Sequence, residues 1–307
     1  MESLKDMTIG ILFESKEWST FALRDHIAAM GAPVKLFDLQ EDADKAELLS
    51  CSLIVNRVFA SAVFRGHQKA LDQTPAVIRL LQEHNIPMIN PAEAHDYETS
   101  KTRVKETLAA HGILVPKSYG IFFPAQSKDN VEIPGIEYPC ILKPDCGGRT
   151  SYTYIVQDRL ELIESIEGSP DIRFIAEEYI RPDKGYVTRL EVIDHVCKLA
   201  LKRSVTKTGL SAYHLGSEYD FYNELPGKIE DTAVRAMDLL RIEAGSMDII
   251  ENKTGFYIID VNSVSNASED NTEMFKFDLM KETAAYAVKI YGNLSSNKQE
   301  RALSDRS

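Results

Sequence analysis

Cysteine is scarce in this chain: Cys51, Cys140, Cys146 and Cys197 are the only four in 307 residues, and no two form a CxxC pair. A disulfide-stapled miniprotein is excluded, and the thiols are expected to be reduced. Long apolar runs are missing as well. No stretch approaches the roughly 18–20 residues that span a bilayer, and the opening MESLKDMTIGILFES has neither the basic flank nor the apolar length of a secretory signal. The expectation is a cytoplasmic protein with no membrane partner. Bases are outnumbered, 35 Lys+Arg against 47 Asp+Glu, for a net charge of −12. That balance argues against a surface built to displace counterions from nucleic acid, while leaving local basic pockets open. A Gly-rich dinucleotide fingerprint is absent after the first apolar run, and no GKS or GKT opens a helix as a Walker loop requires.

The composition that remains, 44% hydrophobic and 27% charged, is that of a soluble globular protein with room for about two domains. TIGILFE, PVKLFDL and CSLIVNR read as strands. WSTFALRDHIAAMG and the segment from about His67 to His84 read as helices, and NIPMIN as a short strand. Strands alternating with helices predict a parallel sheet, so residues 1 to about 95 are expected to form a small α/β domain. Beyond it come a helix ending at His111-Gly112, the strand YPCILKP and the glycine loop DCGGRTSYTYIV. A helix from Asp158 and the strand FIAEEYI follow, then YVTRLEVID and HVCKLALKRSV meeting at Asp194-His195. The polar stretch KTGLSAYHLGSEYDFYNELPGK is long for a connection and is expected to be a functional loop. Helix DTAVRAMDLLRI, strands SMDIIEN and FYIIDVN, and a last helix FDLMKETAAYAVKIY precede a polar tail expected to be disordered.

The residues with most to say about chemistry are Asp248 and Asp260, each in an apolar strand with a glycine turn between. In a hairpin the two carboxylates can face each other across the ladder, and Asn262 falls on the face of Asp260 because strand period is two. Opposed carboxylates repel unless a cation separates them, and Asp, Asp and an amide are the hard oxygen ligands magnesium prefers. The alternative is a pair of strand ends facing solvent. Lys143, between apolar neighbours, needs an anionic partner such as a phosphate, and Gly147-Gly148 can bring backbone N–H groups to phosphate oxygens; a strand-edge lysine and an ordinary turn would look the same. Glu177, Tyr179 and Ile180 could frame an adenine, or form a strand with solvated acids.

Together these pieces occur in the order and spacing of the ATP-grasp carboxylate–amine ligases, and the chain most resembles the RimK-like glutamate ligases and their relatives in amino-acid and peptide ligation. The matching segments are SKTRVKETLAAHGILVP, YPCILKPDCGGRTSY, AEEYI, VTRLEVID with ALKR, MDII and IIDVN, with NRVFASAVF in the first domain. The resemblance implies an α/β ATP-grasp fold preceded by a Rossmann-like parallel-sheet domain. Its parts would be residues 1–95, a small lobe with its preceding helix at 96–180, a C-terminal lobe with the metal site at 181–292, and a disordered tail at 293–307. It implies that Lys101 and Lys143 hold ATP phosphates, that the loop at Gly147, Gly148 and Arg149 closes over them, and that Glu177, Tyr179 and Ile180 frame adenine. Arg189, Arg203 and Lys143 would carry catalysis. Asp248, Asp260 and Asn262 would hold Mg2+, or Mn2+ in its place.

The chain departs from the family pattern at Val187, where an acid is expected for the ribose, with Asp183 a possible substitute. It departs again at the loop Tyr213-His214-Leu215-Gly216-Ser217, at Ser265-Asn266, and at Asp260 in place of the commoner Glu. The implied activity is an ATP-dependent ligation of a carboxylate to an amine through an acylphosphate, on amino acids or a small peptide, by a chain that can form a homo-oligomer. A small-molecule phosphotransferase and a non-catalytic nucleotide-binding regulator are the other readings. Arg57, Arg65, His214 and Tyr219 are candidates for substrate contact, though long polar residues are usually surface residues.

Overall fold

The computed structural model describes residues 7–127 and 133–304, which divide into two compact units. The first gathers the described parts of 1–94, 241–244 and 264–307; the second holds the described parts of 95–240 and 245–263.

In the first unit, β1 (Ile9–Phe13), β2 (Val34–Asp38), β3 (Leu53–Arg57) and β4 (Met88–Ile89) form a sheet in the order β2-β1-β3-β4. All its pairings are parallel. β1 is apolar and buried at every position, as a central strand covered on both faces must be. Helices α1 (Trp18–Ala29), α2 (Lys45–Leu49) and α3 (Gln68–Glu83) lie along this part of the chain. α2 starts at Asp44, whose side chain accepts from the N–H groups of Ala46 and Glu47. α3 buries Ala70, Leu71, Thr74, Val77, Ile78 and Leu81, the spacing of a single helical face. A further helix, α4 (Ala92–Glu98), crosses the sequence boundary between the units.

The second unit begins with α5 (Lys101–Ala110) and contains two sheets. One consists of β5 (Ser118–Phe122), β6 (Cys140–Pro144), β7 (Tyr154–Val156) and β8 (Phe174–Glu178), antiparallel in the order β5-β8-β6-β7. Short helices α6 (Pro124–Ser127) and α7 (Arg159–Glu167) accompany it. Its core packs Phe174, fully buried, with Leu142, Val156, Leu162 and Ile166. The other sheet contains β9 (Tyr186–Ile193), β10 (Val196–Ser204), β11 (Tyr219–Phe221), β12 (Ala244–Asn252) and β13 (Gly255–Asn262) in the order β11-β10-β9-β12-β13, with α8 (Gly227–Leu239) between β11 and β12 in sequence. β9 and β10 turn at Asp194 and His195, at φ 56° and 62°, the left-handed pair that a two-residue hairpin needs.

The chain closes with α9 (Glu269–Phe275) and α10 (Leu279–Ser304). Two expectations are corrected here. The segment from Val264 to Gly292, assigned by sequence to the C-terminal lobe, belongs to the first unit, where α10 packs on α1 and Asp278 pairs with His26 at 2.8 Å. The stretch from Asn293, expected to be disordered, continues as helix to Ser304, with 305–307 outside the described residues. Tyr291 donates to the carbonyl of Met7 at 3.1 Å and Ser295 approaches its sulfur. Lys, Gln, Glu, Arg and Ala in this stretch are good helix formers once such an anchor exists. No disulfide joins the cysteines, and among the described residues no helix is long and apolar enough to cross a membrane.

Candidate active site

β12 and β13 pair so that Asp248 stands directly opposite Asp260 and Ser246 opposite Asn262. Side-chain cations offset the repulsion between the two carboxylates. Arg189 on β9 and Arg203 on β10 lie diagonally on one face, since Arg189 pairs with Leu201. Both reach Asp248, Arg189 Nη1 at 3.3 Å from Oδ1 and Arg203 Nη2 at 2.7 Å from Oδ2. Lys101, the first residue of α5, places Nζ 2.7 Å from Asp260 Oδ1. Asn262 Nδ2 lies 3.4 Å from Asp260 Oδ2, which leaves its amide oxygen toward other partners.

A second cationic group sits on the β6–β8 ladder. Lys143 Nζ donates to the carbonyl of Ile259 at 3.0 Å and meets Glu177 Oε1 at 2.8 Å. The other Glu177 oxygen is ion-paired with Lys105, one turn along α5 from Lys101. Burial pushes Lys143 down to about 8; Lys101 adds to the fall and Asp260 opposes it. Lys105 is lowered well below the ordinary lysine value by burial and then by Lys143 and Lys101. Lys101 moves the other way, because the charge of Asp260 and its hydrogen bond outweigh burial. Burial also works against the Asp260 carboxylate, yet Lys101 and Lys143 hold it below the usual range. Arg189 and Arg203 are likewise raised by their carboxylate partners against burial.

Of these groups Lys101, Lys143, Glu177, Arg203, Asp248 and Asp260 line a cleft with roughly 880 Å3 of atom-free space, its open mouth included. Lys101, Lys143, Arg203, Asp248 and Asp260 form its charged wall. Tyr179, Ile180, Val187, Ile250 and Pro182 contribute the apolar one. Gly147, Gly148 and Arg149 border it, in a loop where Arg149, Thr150 and Tyr152 have φ of 59°, 52° and 51°. On another border Gly209, at φ 80°, comes so close that an added Cβ would stand 2.6 Å from Ile155 Cδ1 and 3.5 Å from the Tyr179 hydroxyl. Thr150 Oγ1 and His214 Nε2 are 3.1 Å apart, joining the two bordering loops.

Several sequence candidates stand elsewhere. Arg189 does not line the cleft; it stands behind Asp248, with Nε on Glu191 at 2.9 Å. Asp183 is exposed and outside the lining, and Asn262 is also outside it. Glu177 lines the cleft but directs both oxygens at lysines. Tyr219 pairs with Arg203 across the β10–β11 ladder. In the first unit Arg57 is buried, donating to Ser19 Oγ at 2.9 Å and the Ser265 carbonyl at 3.3 Å, and Arg65 is ion-paired with Glu14 and Glu17. Sequence reading overlooked Lys105 and Gly209. Of these only Lys105 carried a signal, its i+4 spacing from Lys101 on one helix face.

A model of the RimK-like ATP-grasp domain matches residues 98–286. The chain belongs to the RimK-like ATP-grasp family. A probable alpha-L-glutamate ligase of Pasteurella multocida is 26% identical over 194 residues, 61% of this chain and 60% of that protein. A D-alanine–D-alanine ligase of Pediococcus pentosaceus is 32% identical over 142 residues, 42% of this chain and 39% of its own length. The chain thus spans less than two thirds of either relative. A RimK domain ATP-grasp protein of Sphaerobacter thermophilus superposes with a TM-score of 0.68 at 18% identity, over 91% of this chain and 98% of that one, which establishes a shared fold. The family in general uses ATP with Mg2+.

The donors fit such an ion. Two opposed carboxylates and an amide are hard oxygen ligands, each carboxylate oxygen on Arg or Lys keeps a further lone pair, and magnesium commonly takes few protein ligands while retaining waters and phosphates. Among the described residues no group of three or more His, Cys, Asp and Glu gathers for a metal.

Proposed function

We propose that this protein is an ADP-forming ligase that joins a carboxylate to an amine, with amino acids or a small peptide as substrates. The observation that carries it is the cleft wall itself: Lys101, Lys143 and Arg203 beside the opposed Asp248 and Asp260, inside the segment matched by the family. Lysines and arginine in that density suit a triphosphate, and the apolar side at Tyr179 and Ile180 suits a purine. Asp248, Asp260 and Asn262 would hold Mg2+, which when bound neutralises phosphate charge.

In the proposed chemistry a substrate carboxylate attacks the γ-phosphate, giving an acylphosphate and ADP. An amine then attacks the acyl carbon, phosphate departs, and the amine proton is lost as the amide forms. Attack of one anion on another is opposed by charge, and Lys143 and Arg203 are positioned on the cleft wall to offset it. The loops at 147–153 and 204–218 would keep water from the acylphosphate. For ribose, Asp183 remains the proposed contact. On the substrate side the proposal retains His214 and Tyr219; Arg57, buried and held by Ser19 and Ser265, and Arg65, held by Glu14 and Glu17, are assigned to the packing of the first unit.

The test is phosphate release from ATP with magnesium over pairs of amino acids, with hydroxylamine as a trap. The expected result is ADP, phosphate and a hydroxamate from one acid. No phosphate release and no hydroxamate across a broad panel would sink the reading, and a product retaining phosphate would make the protein a phosphotransferase.

A further inference from the structure

We infer that Asp145, which no motif singled out, is the positioning residue that sets the spacing of the two lysines on the cleft wall; this rests on the nucleotide reading above. Asp145 follows β6, two residues after Lys143 and two before the bordering Gly147, and is 0% exposed. A buried carboxylate with unmet acceptor capacity would be costly, and this one is fully engaged. Oδ1 accepts from the Thr102 backbone N–H at 2.7 Å and its hydroxyl at 2.8 Å. Oδ2 accepts from the Ser100 hydroxyl at 3.0 Å and from Arg173. The Asp145 carbonyl accepts from the N–H of Lys101 at 3.0 Å.

Asp145 therefore caps α5 from a different strand. Ser100, Lys101 and Thr102 are the N-cap and first turn of that helix, and N–H groups there lack helical partners. All three residues are tied to one aspartate, so the backbone carrying Lys101 is fastened to the strand end carrying Lys143. Lys101 Nζ then reaches Asp260, and Lys143 Nζ the carbonyl next to it. Both lysines have long flexible stems. Fixing their origins is what converts two mobile charges into a cradle at set separation.

The consequence is selective. Loosening Asp145 should weaken the hold on phosphates and leave the adenine-facing wall at Tyr179 and Ile180 alone. The experiment is calorimetric titration of ATP and, separately, of adenosine, each with magnesium, into wild type, Asp145→Asn, Thr102→Val, and Leu48→Ala as a destabilised control from the first unit's core.

For Asp145→Asn the expected result is about tenfold weaker ATP binding, as for loss of a charged hydrogen-bond hub, with adenosine affinity within about twofold of wild type. Leu48→Ala should change neither affinity below its melting temperature. Thr102→Val removes one hydroxyl donor and should weaken ATP alone by a few-fold. It also supplies the same comparison if Asp145→Asn does not fold. Equal loss of ATP and adenosine, or no change in either, would overturn the inference. Wild type that fails to bind ATP would instead overturn the nucleotide reading itself.

Discussion

Arg203 and Arg189 both grip Asp248, yet only Arg203 also faces the cleft. Arg203→Ala is expected to lower kcat by about 10²–10³-fold, the usual cost of removing one charge-stabilising donor. Arg189→Ala should act less strongly and only through Asp248; phosphate release at saturating substrate distinguishes them. Lys143 supplies a pH prediction. In the free protein it titrates near 8, lowered by burial, and an incoming phosphate favours its charged form and raises it toward the ordinary value of about 10.4. ATP binding should therefore take up a proton between about pH 8 and 10, and affinity should fall as pH rises through that window while staying flat below it. Calorimetry in buffers of different ionisation heat reads the uptake, and Lys143→Met should abolish it. Asp248, Asp260 and Lys143 were legible in the sequence because residue type and strand period alone put charged groups on one face of an apolar strand. Asp145 and the position of Arg189 behind Asp248 were not, because their meaning lies in partners from other strands and helices that no local pattern names.

The bordering loops depend on backbone conformation more than on side-chain chemistry. Gly209 holds φ 80° with Ile155 and Tyr179 where a Cβ would be. Gly209→Ala adds left-handed strain of about 1–2 kcal/mol; taken entirely from nucleotide binding, it would raise the KM for ATP by about 5- to 30-fold. Steady-state kinetics at varied ATP tests this. Polarity and length mark the 207–228 stretch as an expected functional loop, while the contact between His214 and Thr150 joins loops whose proximity depends on the fold. The opposite lesson comes from α10. Polarity suggested disorder after Asn293, but a helix needs only good helix formers and an anchor, and the contacts of Tyr291 and Ser295 with Met7 supply one.

The first unit is assembled from separated pieces of chain. The Asn90 side chain binds the backbone of Glu243 and Ala244 at 2.8 Å, Tyr286 donates to Glu243 at 3.0 Å, and α10 lies on α1, whose Leu23 and Ile27 are fully buried. Removing residues 279–307 should thus uncover the side of α1 on which α10 lies. The expected outcome is loss of cooperative unfolding for that unit, read by protected amides in hydrogen exchange, with the β12–β13 hairpin still protected.

During synthesis the same threading sets an order of events. The second unit's segments end at residue 263, so the whole charged cleft wall can emerge from the ribosome while the strands translated first still lack α10. Strands made before the second unit are thus able to finish folding only after it, and until then the buried face of α1 is exposed to chaperones.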